Sequence, residues 1–296
     1  MLKKLTIVID QRGWCAERRA HGIVANCPPD WQACVVHKNQ INQTKVGDVT
    51  FFTFPINYRY ENFKKQNLHT KIVANWASCG WPHNNRRWRI SRKVSDWVIC
   101  NSERWWQEAK KPSKTNHITP GVDTRLFVDH NTERNKVLWC AGCTGSNEMR
   151  SGLKRVELAE EVFKELKKYD IEGSMLTPDP HGSAVKNSSD MVDWYNTGKV
   201  LFVTSEREGV PNVALEAAAC GCAIVGTNVG VLPRLLWEGV IGSVILPTVD
   251  EFVEAILTNF TQHNDLAKYY IKCGISKFDW SVVAPRYFDV FDKVLS

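Results

Sequence analysis

The 296-residue sequence contains no apolar run long enough to cross a membrane. Its first apolar run, Leu5–Ile9, is shorter than a signal-peptide core and is not followed by a small-residue cleavage site, so it is predicted to be a strand. Internal repeats, low-complexity segments and an Asp-x-Asp motif are also missing. We therefore expect a cytoplasmic protein that is neither membrane-spanning nor built from repeats, and no metal is predicted.

The ten cysteines show no spacing typical of a disulfide framework. They are expected to be reduced thiols of a cytosolic protein. Two close pairs, Cys140 with Cys143 and Cys220 with Cys222, could together supply a four-cysteine zinc site. Both pairs fall where a strand or helix meets a tight turn, so small buried core residues are the favoured interpretation.

Charge is distributed unevenly along the chain. Residues 1–120 carry 20 basic and 8 acidic side chains, a net charge of +12, whereas residues 121–296 carry 18 and 24, a net charge of −6. An asymmetry of this size predicts two domains with different partners. The first domain is expected to meet a polyanion.

Short apolar runs alternate with helical patterns in both halves of the chain, and a Pro-Gly turn within His117–Asp123 marks a boundary. This alternation predicts an α/β fold of two doubly wound domains with a cleft between them. The predicted strands are Leu5–Ile9, Ala33–His37, Val49–Phe54, Lys71–Ala74, Val98–Cys100, Lys136–Cys140, Gly173–Leu176, Val200–Thr204 and Ala223–Gly226. The predicted helices are one capped by Ser102, then Leu153–Tyr169, Asp190–Tyr195, Val213–Cys220, Asp250–Phe260, Asn264–Cys273 and Val282–Leu295.

Residues 206–226, EREGVPNVALEAAACGCAIVG, place two glutamates around a short turn. Pro211 precedes a helix whose free N–H groups would form a phosphate site at the end of a parallel strand. Glu216, one turn into that helix, suits the paired hydroxyls of a ribose, and Glu208 could accept hydrogen bonds from sugar hydroxyls. The alternative is an ordinary strand, loop and helix with solvated glutamates, which composition alone favours.

Residues 208–230 closely resemble the C-terminal-domain signature of family 4 glycosyltransferases, whose two glutamates are separated by seven residues. The segment Thr119–Phe127 resembles the interdomain segment of that family, and Asp279-Trp280 resembles the start of its final helix. The resemblance covers about residues 98–296. It implies a GT-B fold of two Rossmann-like domains that transfers sugar from a nucleotide-sugar donor with retention of configuration. The implied domains are an acceptor-binding domain of residues 1–120, completed by the helix 281–296, and a nucleotide-sugar-binding domain of residues 121–280.

The resemblance also implies roles for individual residues. Glu208 would contact the donor sugar, Glu216 the ribose, and the backbone N–H groups of Val210–Val213 the pyrophosphate. The family commonly has an arginine where this chain has Cys143 and a Lys-Gly where it has Lys154-Arg155, so Arg150 is expected to replace the guanidinium. No protein nucleophile is assigned, and no cofactor is expected, because the nucleotide-sugar (expected to be a UDP-sugar) is a co-substrate. The candidate catalytic residues are Glu208, Lys154 and Arg150; the candidate donor-binding residues are Gly13, Gly209, Val210, Pro211, Asn212, Val213 and Glu216.

The acceptor is predicted from the basic first half, whose densest patch is Asn84–Lys93. Arginines interleaved with tryptophans suit a phosphate backbone with stacked bases, and they equally suit an anionic membrane surface. The short, arginine-rich first domain favours DNA, as in compact viral transferases that decorate hydroxymethylated bases. The candidate acceptor-binding residues are Arg12, Trp14, Arg86, Arg87, Trp88 and Arg89.

Two alternatives remain open at this point. One is a glycosyltransferase acting on a lipid-linked or polysaccharide acceptor at an anionic membrane surface. The other is a non-catalytic nucleic-acid-binding protein on a transferase scaffold, which Cys143 in the arginine position would suit. No obligate protein partner is implied, and the expected location is the cytoplasm, which for a viral protein is that of the host.

Overall fold

The computed structural model describes residues 2–10, 12, 15–57, 59–76, 86–141, 152–177 and 188–296. The chain forms two compact units. Unit 1 comprises Met1–Gly121 together with Trp280–Ser296, and unit 2 comprises Val122–Asp279. None of the helices among the described residues combines the length and apolar character needed to cross a membrane.

Unit 1 is built on a six-stranded sheet in the order β2-β1-β3-β4-β5-β6, in which every described pairing is parallel. Chain order reverses between β1 and β3, which makes this pair the topological switch point of the sheet. The strands are β1 Lys3–Ile9, β2 Trp31–His37, β3 Val49–Phe52, β4 Lys71–Trp76, β5 Trp97–Cys100 and β6 Thr115–His117, and the helices are α1 Cys15–Ala25, α2 Arg59–Gln66, α3 Arg86–Val94 and α4 Glu103–Glu108, with a 3₁₀ turn at Ile41–Gln43.

Unit 2 repeats the plan with a five-stranded parallel sheet in the order β11-β10-β9-β7-β8. Its switch point lies between β7 and β9. The strands are β7 Lys136–Cys140, β8 Glu172–Leu176, β9 Gly198–Val203, β10 Ala223–Thr227 and β11 Gly242–Ile245, and the helices are α5 Val156–Leu166, α6 Ser188–Tyr195, α7 Asn212–Ala219, α8 Leu232–Trp237, α9 Val249–Thr261 and α10 Asp265–Ser276, with a 3₁₀ turn at Lys167–Tyr169.

Successive residues of the buried strands face opposite sides of the unit 1 sheet. Phe51 packs on the final helix, α11 Trp280–Leu295, through Tyr287, and its neighbour Phe52 packs on α2 through Phe63. Helix α11 also lies against α1, where a Cβ added to Gly22 would be only 2.3 Å from the Trp280 ring. The last helix of the chain is therefore an integral layer of unit 1.

The α/β fold of two doubly wound parallel sheets is confirmed. Strand β7 has the predicted bounds, and Ser102 caps α4 by accepting a hydrogen bond from the N–H of Trp105. The helix predicted over Leu153–Tyr169 is instead broken at Arg155, whose φ of 51° and ψ of 60° are left-handed. The short edge strands β6 and β11 were not predicted.

Candidate active site

The switch point of unit 2 brings together two loops that leave neighbouring strands. A helical turn at 152–154 lies between β7 and α5, and residues 204–211 connect β9 to α7. Ligands of open parallel sheets bind at the carboxyl ends of the strands beside such a point. The predicted site residues Lys154 and Glu208 lie on these two loops.

Hydrogen bonds fix the two loops against each other. The buried indole of Trp139 on β7 donates its Nε1–H to Thr204 Oγ1 at 2.9 Å. The Thr204 hydroxyl donates in turn to the carbonyl of Lys154 at 2.5 Å, and the N–H of Glu206 donates to the carbonyl of Leu153 at 2.8 Å. Both the backbone that carries Lys154 and the start of the 204–211 loop are thereby held in place.

The Lys154 ammonium forms an ion pair with Glu208 Oε1. The two side chains are only 19% and 12% exposed, and Ser205 Oγ donates a further hydrogen bond to Glu208 Oε1 at 2.9 Å. Because both groups are largely shielded from water, their attraction is stronger than that of a surface pair. The sequence suggested each residue separately, but it did not predict that they pair.

Glu216 lies in α7 and is almost fully buried, with 5% of its surface exposed. Tyr195, the last residue of α6, donates its hydroxyl to Glu216 Oε2 at 3.0 Å. This partner was missed from the sequence because it lies 21 residues away, on a different helix. The hydrogen bond orients the carboxylate that the resemblance assigns to a ribose.

The beginning of α7 supplies the expected helix N-terminus. Pro211 is the N-cap residue, with φ of −73°, and the helix starts at Asn212, one residue earlier than predicted. Gly209 and Pro211 are buried, and Val210 and Val213 are partly buried. The first N–H groups of such a helix have no intrahelical partner and favour an anion.

Gly230 supports this loop from the adjoining 228–231 segment. Its φ is +54°, and an added Cβ would lie 2.6 Å from Pro211 Cδ and 3.4 Å from Glu208 Cβ. We predict that Gly230→Ala displaces the loop; if the expected UDP-sugar donor binds here, the variant should bind UDP at least about tenfold more weakly by calorimetry. Gly239→Ala is the matched control, because Gly239 has φ of +101° but an added Cβ would meet nothing within 4 Å. Equal loss of UDP affinity in both variants would contradict the prediction.

Four of the residues predicted to bind the acceptor are exposed on unit 1. Arg12 is exposed in the turn between β1 and α1, and Arg86, Arg87 and Arg89 are exposed on α3. The candidates Gly13, Trp14 and Arg150 lie outside the described residues.

The interpretation of Trp88 as a stacking residue for the acceptor needs correction. Trp88 is 4% exposed and packs edge-on against Trp76, with ring centroids 5.2 Å apart. The buried residues of α3 are Trp88, Ile90, Ser91 and Val94, whereas Arg86, Arg87 and Arg89 are exposed. Trp105 is likewise buried.

The zinc alternative finds no support among the described cysteines. Cys222 is fully buried, its Sγ–H donates to the carbonyl of Tyr195 at 3.2 Å, and burial raises its pKa to about 12. Within the described ranges no three potential metal ligands come together, and Cys143 lies outside those ranges.

An acid, a lysine and a helix N-terminus at the switch point of a parallel sheet are typical of proteins that bind nucleoside diphosphates. Two such doubly wound units in one chain agree with the GT-B fold that the resemblance implies. The comparisons with known proteins agree with this class.

Residues 176–262, which contain Glu208 and Glu216, match the family model described as glycosyl transferases group 1. A D-inositol 3-phosphate glycosyltransferase from Kribbella flavida is 40% identical over 68 residues, which are 22% of this chain and 16% of that protein. One from Arthrobacter sp. is 36% identical over 59 residues, 20% of this chain and 14% of that protein. The matched segment thus spans about a sixth of these relatives.

Solved structures match along nearly the whole chain. A glycosyltransferase from Rickettsia africae superposes with a TM-score of 0.70 at 12% identity, covering 100% of this chain and 99% of that one. Sucrose-phosphate synthase from Thermosynechococcus elongatus gives 0.68 at 13% identity and 99% coverage of both chains. Anabaena HepE in complex with UDP and glucose gives 0.68 at 13%, covering 98% and 100%. The fold is GT-B, and the family match is confined to residues 176–262 of unit 2.

Proposed function

We propose that the protein is a retaining glycosyltransferase that moves a hexosyl or pentosyl group from a nucleotide-sugar, with a UDP-sugar as the expected donor, to an acceptor hydroxyl. The observation that carries this proposal is the convergence of Lys154, Glu208 and the α7 N-terminus at the switch point of unit 2. The complex of HepE with UDP and glucose, a protein of the same fold, supports the choice of donor.

The geometry suggests a division of labour. Glu216, oriented by Tyr195, accepts hydrogen bonds from the ribose hydroxyls, and the N–H groups at the start of α7 bind the pyrophosphate. Glu208 accepts hydrogen bonds from the donor sugar. Lys154 stabilises the negative charge that develops on the departing diphosphate. No residue of the chain is assigned as a nucleophile, and no metal is part of the proposal.

For the acceptor we propose a polyanion, with a hydroxymethylated DNA base as the first candidate. The supporting observation is α3, which carries five basic residues and no acid and exposes Arg86, Arg87 and Arg89. Because Trp88 is buried, this surface supplies charge rather than aromatic stacking. The target base would have to leave the DNA stack to react.

The decisive experiment is a donor and acceptor panel. The protein is incubated with UDP-, GDP- and ADP-sugars in turn. Each donor is combined with hydroxymethylcytosine DNA, with unmodified DNA or with anionic vesicles that contain a lipid-linked acceptor. The masses of all products are measured by mass spectrometry. A hexose or pentose added only to hydroxymethylcytosine DNA supports the proposal. Modification of the lipid alone would replace DNA as the acceptor, and turnover of no donor would reject the enzyme.

Glu208→Gln separates catalysis from simple binding. We predict that it lowers donor turnover by about 10²-fold, because the neutral amide is a weaker acceptor for sugar hydroxyls and leaves Lys154 without its carboxylate. Glu206→Gln, an exposed neighbour, should retain turnover. Unchanged turnover in Glu208→Gln would argue against the assigned role, and DNA binding without any turnover in the wild type would favour the non-catalytic alternative.

A further inference from the structure

Arg19 on α1 is a buried cation with little to compensate its charge. The side chain is 4% exposed, its Nη1 donates to the carbonyl of Thr53 at 3.0 Å, and its Nε has no hydrogen-bond partner. No carboxylate within the described ranges forms an ion pair with it. A guanidinium removed from water and left without an anion lowers the stability of the folded protein.

A further buried polar atom without a hydrogen-bond partner among the described residues belongs to the same unit. It is Asn75 Oδ1, on a residue that is 0% exposed, and the equally buried Tyr287 hydroxyl lies nearby with Asn101 as its hydrogen-bonding neighbour. Asn75 Nδ2 donates to the carbonyl of Thr53 at 3.3 Å, the same atom that accepts from Arg19. Burial raises the pKa of Tyr287, and the Arg19 charge acts in the opposite direction. Buried polar atoms normally find partners, so these groups require an explanation.

The cluster lies at the carboxyl edge of the unit 1 sheet. Thr53 directly follows β3, and both its N–H and its hydroxyl donate to the carbonyl of Val8 on β1 at 3.0 Å. These two strands form the topological switch point of unit 1. Arg19 therefore occupies the position at which an open parallel sheet binds its ligand.

We propose that Arg19 binds an anionic group, a phosphate or a carboxylate, carried by the acceptor. The proposal rests on the proposed glycosyltransferase function and adds a residue that the sequence did not suggest. A guanidinium donates to two oxygens of such a group at once, and the Tyr287 hydroxyl is a further donor beside it. A purely structural tie between α1 and Thr53 would need one neutral donor and no charge.

The first test uses inorganic phosphate as the probe and thermal unfolding as the readout. In zwitterionic buffer, 100 mM phosphate should raise the Tm of the wild type by at least about 2 °C more than that of Arg19→Met, each relative to sodium chloride of equal ionic strength. Phosphate also stabilises folded proteins in general, so only this Arg19-dependent excess counts as the phosphate shift. Without phosphate the Tm of Arg19→Met should equal or exceed that of the wild type, because an uncompensated buried charge has been removed. Arg19→Gln, which keeps a neutral donor, serves if the Met variant does not fold.

Arg286→Met is the matched control, because Arg286 also donates to a backbone carbonyl of unit 1, that of His117 at 3.2 Å, but is exposed. It should keep the phosphate shift. A Tm loss of several degrees in both Arg19 variants without phosphate, or a phosphate shift that survives in them, would overturn the proposal and leave Arg19 as a structural tie.

Kinetics link the site to the acceptor. With an acceptor identified by the panel above, Arg19→Met should raise the acceptor KM at least about tenfold and leave the UDP dissociation constant unchanged. Phosphate binding with an unchanged acceptor KM would mean a site for a free anion and would refute the acceptor assignment. If UDP binds neither the wild type nor any variant, that result counts against the proposed donor site. It is distinguished from a failure of the Arg19 proposal by the separate measurement of UDP binding.

Discussion

Lys154→Met is expected to reduce kcat for sugar transfer by about 10²- to 10³-fold, the largest catalytic effect predicted for this chain. The ammonium is 19% exposed and touches Glu208 across the switch point, so it is held where the diphosphate of a donor on α7 would lie. Its charge stabilises the leaving group most as the glycosidic bond breaks. The loss should therefore fall on kcat more than on the KM of the donor.

The matched control is Lys168→Met, which removes a lysine that also pairs with a glutamate, Glu165 at 2.6 Å, but at an exposed position. It should retain wild-type kcat, because an exposed pair contributes little to the fold and does not touch the site. Comparable losses in the two lysine variants would show that the measured effect is not specific to the switch point.

A double-variant cycle separates two explanations of the Lys154 effect. If Lys154 acts on the diphosphate, Lys154→Met combined with Glu208→Gln should be no more active than Lys154→Met alone. If it only neutralises Glu208, Lys154→Met should cause no further loss in the Glu208→Gln background, and the double variant should be as active as Glu208→Gln alone. Single-turnover rates at saturating donor measure the difference.

The sequence signals for the candidate donor site were clearest where they were local. The 204–211 loop, the Pro211 cap and the small residues of α7 occupy one continuous stretch, and its spacing identified Glu208 and Glu216. The Lys154–Glu208 pair joins residues 54 apart, and its formation depends on the pairing of β7 with β9, which includes a register shift between Lys136 and Val137. A single sequence carries no signal for such a register.

Trp88 shows a different kind of error. Its segment was interpreted from charge and interleaved tryptophans, whereas the structure buries Trp88, Ile90 and Val94 on α3. Trp88 and Ile90 are two residues apart, so the helical period does not place them on one stripe, and the burial of Trp88 depends on tertiary packing. The missed strand β6, Thr115–His117, contains no apolar residue and is held by its pairing with β5, so it also required tertiary structure.

Arg134→Met is expected to destabilise unit 2 by about 3–5 kcal/mol, the largest stability effect predicted here. The Arg134 side chain is 1% exposed and forms an ion pair with Asp129. Its Nη2 also donates to Asn196 Oδ1 at 2.8 Å and to the carbonyl of Cys220 at 2.6 Å, and its Nη1 donates to the carbonyl of Gly198 at 3.2 Å. Methionine fills the space but removes the guanidinium beside Asp129 and the donor to the Cys220 carbonyl.

Urea unfolding followed by tryptophan fluorescence measures this loss. The control is Arg125→Met, whose ion pair with Asp123 is exposed and should contribute less than about 0.5 kcal/mol. Arg134 bonds to the first residue of β9 and to the residue that ends α7, at the edge of the sheet opposite Glu208. The folded variant should therefore bind UDP with unchanged affinity, and a loss of affinity without a loss of stability would contradict this account.

Replacing a buried arginine by methionine is thus expected to lower stability at Arg134 but not at Arg19. Each has an Nε without a hydrogen-bond partner, so that atom does not distinguish them. Arg134 faces the carboxylate of Asp129, whereas the one described hydrogen bond of Arg19 goes to a neutral carbonyl. Removing the charge should therefore destabilise unit 2 at Arg134 and leave unit 1 as stable or more stable at Arg19. Equal destabilisation at both sites would mean that burial alone, and not the missing anion, sets the effect.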